Sequence, residues 1–293
     1  MSDFTTRRAL MLALVSTPFA RAAELLDQAP GAPVPTPTAL LAALEKQSGG
    51  RLGVAALNMA DGRQLLHRAD ERFPLCSTFK ILLSAAVLAR EPALLKKRIR
   101  YTKKDLVPHS PVTEQHLDKG MTVSALCEAT LQYSDNAAAN LLMKQIGGPA
   151  AVKAYARSIG DAEFRLERWE TELNSAIPGD PRDTTTPLAM AKSLHKLVLG
   201  EGLPAAPRKQ LKDWMLGNTT GDTRIRAGVP AGWPVADKTG GGSYGTINDI
   251  AVIWPPGKAP IVLAVYLTQP GKDDKWRPEF HGEVAKLVID AFR

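Results

Sequence analysis

The chain has 293 residues, 44% hydrophobic and 23% charged, which is ordinary globular composition and enough to bury a large core in one or two domains. Its formal net charge is +7, yet lysines and arginines are spread along the chain, without basic runs interleaved with aromatics. Composition therefore argues against nucleic-acid binding, and the charge reads as solubility with some attraction for anionic ligands.

The first 22 residues look like an export signal. Arg7-Arg8 give a positive start, Ala9 to Ala20 form a short apolar stretch, and Ala20-Arg21-Ala22 fits a small-residue cleavage site. An apolar stretch of about 12 residues is too short to span a bilayer. Thr5-Thr6-Arg7-Arg8-Ala9-Leu10 also resembles a twin-arginine signal. No cysteine stands near the cleavage site to carry a lipid anchor. The expected mature chain begins near Ala23 as a soluble, periplasmic protein without a membrane anchor, with residues 23–37 as an N-terminal tail.

A first helix is predicted over Thr38–Gln47. Gly53–Asn58 and Gln64–Arg68 read as strands around Asp61-Gly62, a strong hairpin signal. A helical block follows over Ser77–Arg90, Val123–Leu131, Asp135–Ile146 and Ala150–Ile159. Residues 160–183 lack clear periodicity and carry two prolines; a loop of that length inside a compact domain is more often functional than not. Helices near Pro187–Leu199 and Pro207–Leu216 lead back to strands at Val235–Thr239, Ile247–Trp254 and Ile261–Thr268. A last helix, Glu279–Phe292, carries Val284, Leu287, Val288 and Phe292 at helical spacing. The pattern predicts an α/β (α+β) fold: an antiparallel sheet built from both chain ends with flanking helices, plus an inserted all-helical subdomain. The sheet part is expected over about 38–72 and 217–293 and the helical part over about 73–216, within a single domain spanning 38–293.

Three short motifs could carry chemistry. Ser77-Thr78-Phe79-Lys80 places a hydroxyl and an amine three residues apart at the start of an apolar helical run, hence on one face. Lys80 could activate Ser77 if burial and neighbours lower its pKa. Ser134-Asp135-Asn136 alone reads as a capping turn with Asp135 as N-cap. Lys238-Thr239-Gly240, at a strand end before Gly241 and Gly242, suits carboxylate binding, although alone it reads as a solvated strand end.

In this order the three motifs resemble the Ser-x-x-Lys, Ser-Asp-Asn and Lys-Thr-Gly signature of class A β-lactamases and penicillin-binding proteins. The resemblance covers about residues 38–293. It includes Arg72-Phe73-Pro74, Asp183-Thr184-Thr185-Thr186-Pro187 and Asn248-Asp249-Ile250-Ala251-Val252. Glu170 and Asn174 fit the Glu-x-x-x-Asn pattern of the long loop, which distinguishes class A enzymes from their penicillin-binding relatives.

The resemblance implies catalytic roles for Ser77, Lys80, Ser134 and Glu170, and substrate contacts from Asn136, Asn174, Lys238, Thr239, Gly241 and Arg224. Ser77 would be acylated by a β-lactam, with an oxyanion hole from the N–H groups of Ser77 and Gly241. The proton of Ser77 would leave through Lys80 or through water to Glu170; both routes stay open. Water activated by Glu170 would release the product. No metal or cofactor is implied, and the expected state is a monomer acting on a small molecule.

Several positions depart from the pattern. Ile247 stands where some members carry the anchoring arginine, so Arg224 is the expected replacement and Arg277 the weaker candidate. Gly241 replaces a hydroxyl residue. Thr171 stands where many members have proline after the glutamate, at a bond that is cis in the family. Arg168 and Asp183 match the pair that closes the neck of the loop. Cys76 and Cys127 could pair in an exported protein; with Gly242 and Ser84 at the familiar partner positions, two buried free thiols are expected. Two other readings remain: a D,D-peptidase that deacylates slowly, opposed by Glu170 with Asn174, and a non-catalytic β-lactam sensor on the same fold.

Overall fold

The computed structural model describes residues 35–293; the export-signal reading and most of the expected tail lie outside them. Helix α1 (Pro37–Ser48) precedes β1 (Arg51–Asn58), which turns at Asp61-Gly62 into β2 (Gln64–His67). Gly62 has φ 75°, a left-handed conformation glycine adopts without a Cβ clash. Next come β3 (Phe73–Pro74), a 3-10 turn (Cys76–Phe79), α2 (Lys80–Leu88), α3 (Ala93–Lys96), β4 (Arg98–Ile99), β5 (Met121–Thr122), α4 (Val123–Gln132), α5 (Asn136–Ile146) and α6 (Gly148–Ser158). Then follow β6 (Thr184–Thr185), α7 (Pro187–Val198), α8 (Ala205–Leu216), β7 (Val235–Gly241), β8 (Ile247–Ile253), β9 (Ile261–Thr268) and α9 (Glu279–Ala291).

The five-stranded sheet has the order β2-β1-β9-β8-β7 with every neighbour antiparallel. Strands from the two chain ends meet where β1 pairs with β9, Val54 opposite Val265. Both faces are covered, so β1 and β9 at the centre are apolar along most of their length rather than alternating. Period-two geometry still sorts their side chains. Leu52, Val54 and Ala56 join Leu263, Val265, Leu267, Val284 and Val288 in one core cluster, which contains Leu41 of α1. Ala55, Val262, Ala264 and Tyr266 join the larger cluster with Leu194 of α7 and the α2 side chains.

Every residue of α2 is buried, as expected for a helix that is apolar all round. Its approach differs from the predicted continuous helix over Ser77–Arg90. The first turn is 3-10 because the Thr78 amide and hydroxyl both donate to Leu75 O, at 3.2 and 2.7 Å. Two pairings went unread in the sequence, β3 with β6 and β4 with β5, each two residues long and too short to show a period. The first matters to the site, since it ties the chain just before Ser77 to the end of the long loop.

Candidate active site

The site lies where β7, the start of α2, the Tyr133–Asn136 turn and the long loop converge. Ser77 sits in the 3-10 turn and Lys80 at the first position of α2, both buried. Two contacts fix this turn against the sheet. Asn248 of β8 donates from Nδ2 to the carbonyls of Pro74 and Leu75, at 2.9 and 3.2 Å. Gly240 lets β7 approach closely, because a Cβ there would stand 3.1 Å from Leu75 O and 3.3 Å from Cys76 Cβ.

Asp135 is the predicted N-cap and more. One carboxylate oxygen accepts from Ala138 N at 2.8 Å; the other accepts from the amides of Val112 and Thr113 at 3.0 and 2.9 Å. This hub holds Ser134 with φ 57° and turns its hydroxyl toward two lysines. Ser134 Oγ accepts from Lys238 Nζ at 3.0 Å and from Lys80 Nζ at 3.4 Å. Lys80 also donates to Ser134 O at 2.7 Å and Asn136 Oδ1 at 2.6 Å, and pairs with Glu170 Oε1 at 3.0 Å. Asn136 Nδ2 donates one hydrogen to Pro108 O, leaving its second available.

The long loop delivers Glu170 to Ser77, with 3.4 Å between Ser77 Oγ and Glu170 Oε1. The other carboxylate oxygen, Oε2, accepts from Asn174 Nδ2 at 2.6 Å. Asn174 Oδ1 is buried without a protein donor. The Glu170–Thr171 peptide is cis. At the neck of the loop, Arg168 Nε meets Asp183 Oδ2 at 2.5 Å, as the sequence led us to expect. Asn140 holds the Glu170 backbone, an anchor the sequence reading missed. Its signal was available: a polar residue one turn beyond Asn136 on an otherwise apolar stretch of α5.

Burial dominates the electrostatics. It lowers the pKa of Lys80 against the opposing pull of Glu170. Lys238 is pushed well below the usual lysine range, first by burial and then by the positive charges of Lys80 and Arg224. Beneath β7, Asp249 is raised well above the usual range by burial and by its neighbour Asp237. Arg224 Nη1 donates to Gly240 O and Asn248 O, both at 2.6 Å. Arg277 is turned elsewhere, bonding Glu279 and the carbonyls of Gln47 and Ser48. Of the two candidate arginines, the fold therefore brings Arg224 to the β7 side. Thr239 Oγ1 lies 2.5 Å from Thr220 Oγ1. Cys76 and Cys127 are buried and free.

Residues 36–292 match the model of a family described as the β-lactamase enzyme family. The chain is 53% identical to a β-lactamase of Citrobacter koseri over 97% of each chain. It superposes with TM-scores of 0.84 on a β-lactamase of Desulfarculus baarsii and 0.85 on an ancestral class A β-lactamase (GNCA). The first is 55% identical, covering 85% of this chain and 94% of that one; the second is 60% identical, covering 88% and 100%. The chain belongs to the β-lactamase enzyme family. Within that family it is a class A enzyme, a serine β-lactamase, and its sheet with flanking helices is the fold of its solved relatives.

Proposed function

We propose that this enzyme opens the β-lactam ring of penicillin- and cephalosporin-type antibiotics through an acyl-enzyme on Ser77 that Glu170 helps to hydrolyse, and so gives antibiotic resistance. The observation that carries this reading is the placement of the Glu170 carboxylate, with one oxygen between Ser77 Oγ and Lys80 Nζ and the other on Asn174.

In the first half-reaction, Ser77 Oγ attacks the ring carbonyl, whose developing oxyanion is held by the amides of Ser77 and Gly241. Removing one such donor in other hydrolases costs about 10²–10³ in rate. The proton of Ser77 passes to Glu170; the hydroxyl faces that carboxylate, and Lys80 is already engaged with three acceptor residues. The carbon–nitrogen bond breaks as Ser134 protonates the leaving nitrogen; Ser134 is reprotonated by Lys80, and Lys80 by the proton Glu170 took from Ser77, so Glu170 ends the step as a carboxylate. Lys238, Thr239 and Arg224 hold the substrate carboxylate, and the free amide hydrogen of Asn136 meets the acylamido group.

In the second half-reaction, water lies between Glu170 and Asn174, whose unpartnered Oδ1 supplies an acceptor. Glu170 takes a proton from the water as the water oxygen adds to the ester carbonyl, and returns it to Ser77 Oγ as the ester carbon–oxygen bond breaks. The protein would act as a monomer of one domain over residues 38–293, with sheet (about 38–72 and 217–293) and helical (about 73–216) walls, exported to the periplasm after loss of residues 1–22. Among the described residues no helix is long and apolar enough to cross a membrane.

Hydrolysis of a chromogenic cephalosporin by the purified protein tests the activity; fewer than one turnover per molecule would sink the reading. Mass spectrometry of Glu170→Ala tests the mechanism. A stable adduct on Ser77 is expected, and rapid turnover would place the base elsewhere.

A further inference from the structure

We infer that Trp276 is a specificity-determining residue of the cleft, offering its indole to planar aromatic substituents of the substrate beside the carboxylate-binding end. The inference rests on the proposed placement of substrate along β7.

Residues 239 and 241 of β7 point to the same face of the sheet, because side chains alternate along a strand. Thr239 projects its hydroxyl on that face, and Gly241 projects nothing. Trp276, on the segment between β9 and α9, fills that place. A Cβ added to Gly241 would lie 2.6 Å from Trp276 Cζ2 and 2.9 Å from Cη2. The indole thus stands where a side chain on residue 241 would project. It supplies the wall next to Thr239 that the strand itself lacks.

The ring is oriented as well as near. Its Nε1 donates to Gly242 O at 3.1 Å, and the Arg224 guanidinium carbon lies 5.8 Å from the ring centroid. Despite these contacts, Trp276 remains 53% exposed, the highest value among the large exposed hydrophobic residues. An indole held at one edge and open on its surface is suited to stack on a flat ring, since its orientation is already set before binding. With the substrate carboxylate on Lys238 and Thr239, the group reaching Trp276 is the substituent on the ring carbon next to the carboxylate-bearing one. In a cephalosporin that is the 3-substituent, so the class favoured is cephalosporins with a planar heteroaromatic group there.

The test uses two cephalosporins with the same acylamido side chain, one with a 3-methyl group and one with a planar heteroaromatic 3-substituent. The quantity read is the ratio of their kcat/KM values, planar over methyl. Trp276→Ala is expected to lower this ratio about fivefold, whereas Trp276→Phe, which keeps a ring, holds it within about twofold. Gly241→Ser, which pushes the indole aside, is expected to lower the ratio similarly, and the Gly241→Ser/Trp276→Ala double variant no further, because both act on one contact. A ratio unchanged in Trp276→Ala, or fully additive losses in the double variant, overturns the inference while leaving the β-lactamase reading intact. Hydrolysis of neither compound by the unaltered enzyme overturns both.

Discussion

Asn140 grips the backbone of Glu170 from both sides: its Nδ2 donates to Glu170 O at 2.9 Å and its Oδ1 accepts from Glu170 N at 3.0 Å. The carboxylate proposed to activate water is therefore held by a side chain of a buried helix as well as by its own loop. Asn140→Ala leaves two peptide groups unmet, at about 1–3 kcal/mol each if they stay buried. Unfolding free energy should fall by roughly 2–6 kcal/mol. Deacylation should slow more than acylation, so that an adduct on Ser77 builds up. Stopped-flow burst kinetics with mass spectrometry checks this; equal slowing of both steps would show that the grip does not act through Glu170.

The neck of the same loop depends on a buried charge. Asp183 is fully buried at its carboxylate, which accepts from the amides of Glu167 and Arg168, at 2.7 and 3.0 Å, as well as from the Arg168 side chain. Arg168→Ala removes the balancing cation and leaves the carboxylate in place. Loss of one partner from such a pair typically costs about 3–5 kcal/mol, although the two amides retain part of the support. A lower urea midpoint with an unchanged denaturant slope is the expected result. Stability unchanged by the substitution would mean the pair is not needed to close the neck.

His281 gives the fold an acid sensitivity. It is fully buried, and burial, followed by the nearby Arg224 charge, pushes its pKa down from 6.5 to about 3. Between those values the unfolded chain binds a proton that the folded protein refuses, so stability falls as pH drops through this window. The slope is about 1.4 kcal/mol per pH unit. His281→Leu should therefore lose roughly 2–3 kcal/mol less than the unaltered protein between pH 6.5 and 4.5. Chemical denaturation at both pH values measures it, and parallel losses in the two proteins would remove His281 as the source.

The two thiols should be silent in the native protein. Cys76 and Cys127 are buried, and burial raises both pKa values, so little thiolate is present to react. A thiol reagent should find no reactive group in the folded protein and both cysteines after denaturation without reductant. Zero after denaturation would reveal a disulfide, and fast native labelling would show that Cys76 is accessible from the site.

Local chemistry made much of this protein legible from its sequence. Strand β9 is an apolar run bounded by Pro260 and Pro270, and Ile261–Thr268 was read at its observed limits. Asp135 announced itself as a cap because its carboxylate serves the amide three residues on. Ser77 and Lys80 lie three residues apart, so any helical turn puts them on one side. Glu170 and Asn174 were paired through the resemblance, by its Glu-x-x-x-Asn pattern, and lie 2.6 Å apart in the fold.

The tertiary structure decided what depends on distance in space rather than along the chain. Lys80 was readable as a base only conditionally; its environment is set by Ser134, Asn136 and Glu170, up to 90 residues away, and by complete burial. Arg224 was preferred over Arg277 on resemblance alone; the packing supplies the physical reason, with Arg224 bonded to Gly240 O of β7 and Arg277 to Ser48 O of α1. Asn140 and Trp276 carried weak local signals because one works through a loop 30 residues on, and the other, outside any strand, fills a gap left by Gly241 of β7. Spacing fixes which residues can share a turn; desolvation, hydrogen-bond partners and steric gaps arise only when distant segments are packed together.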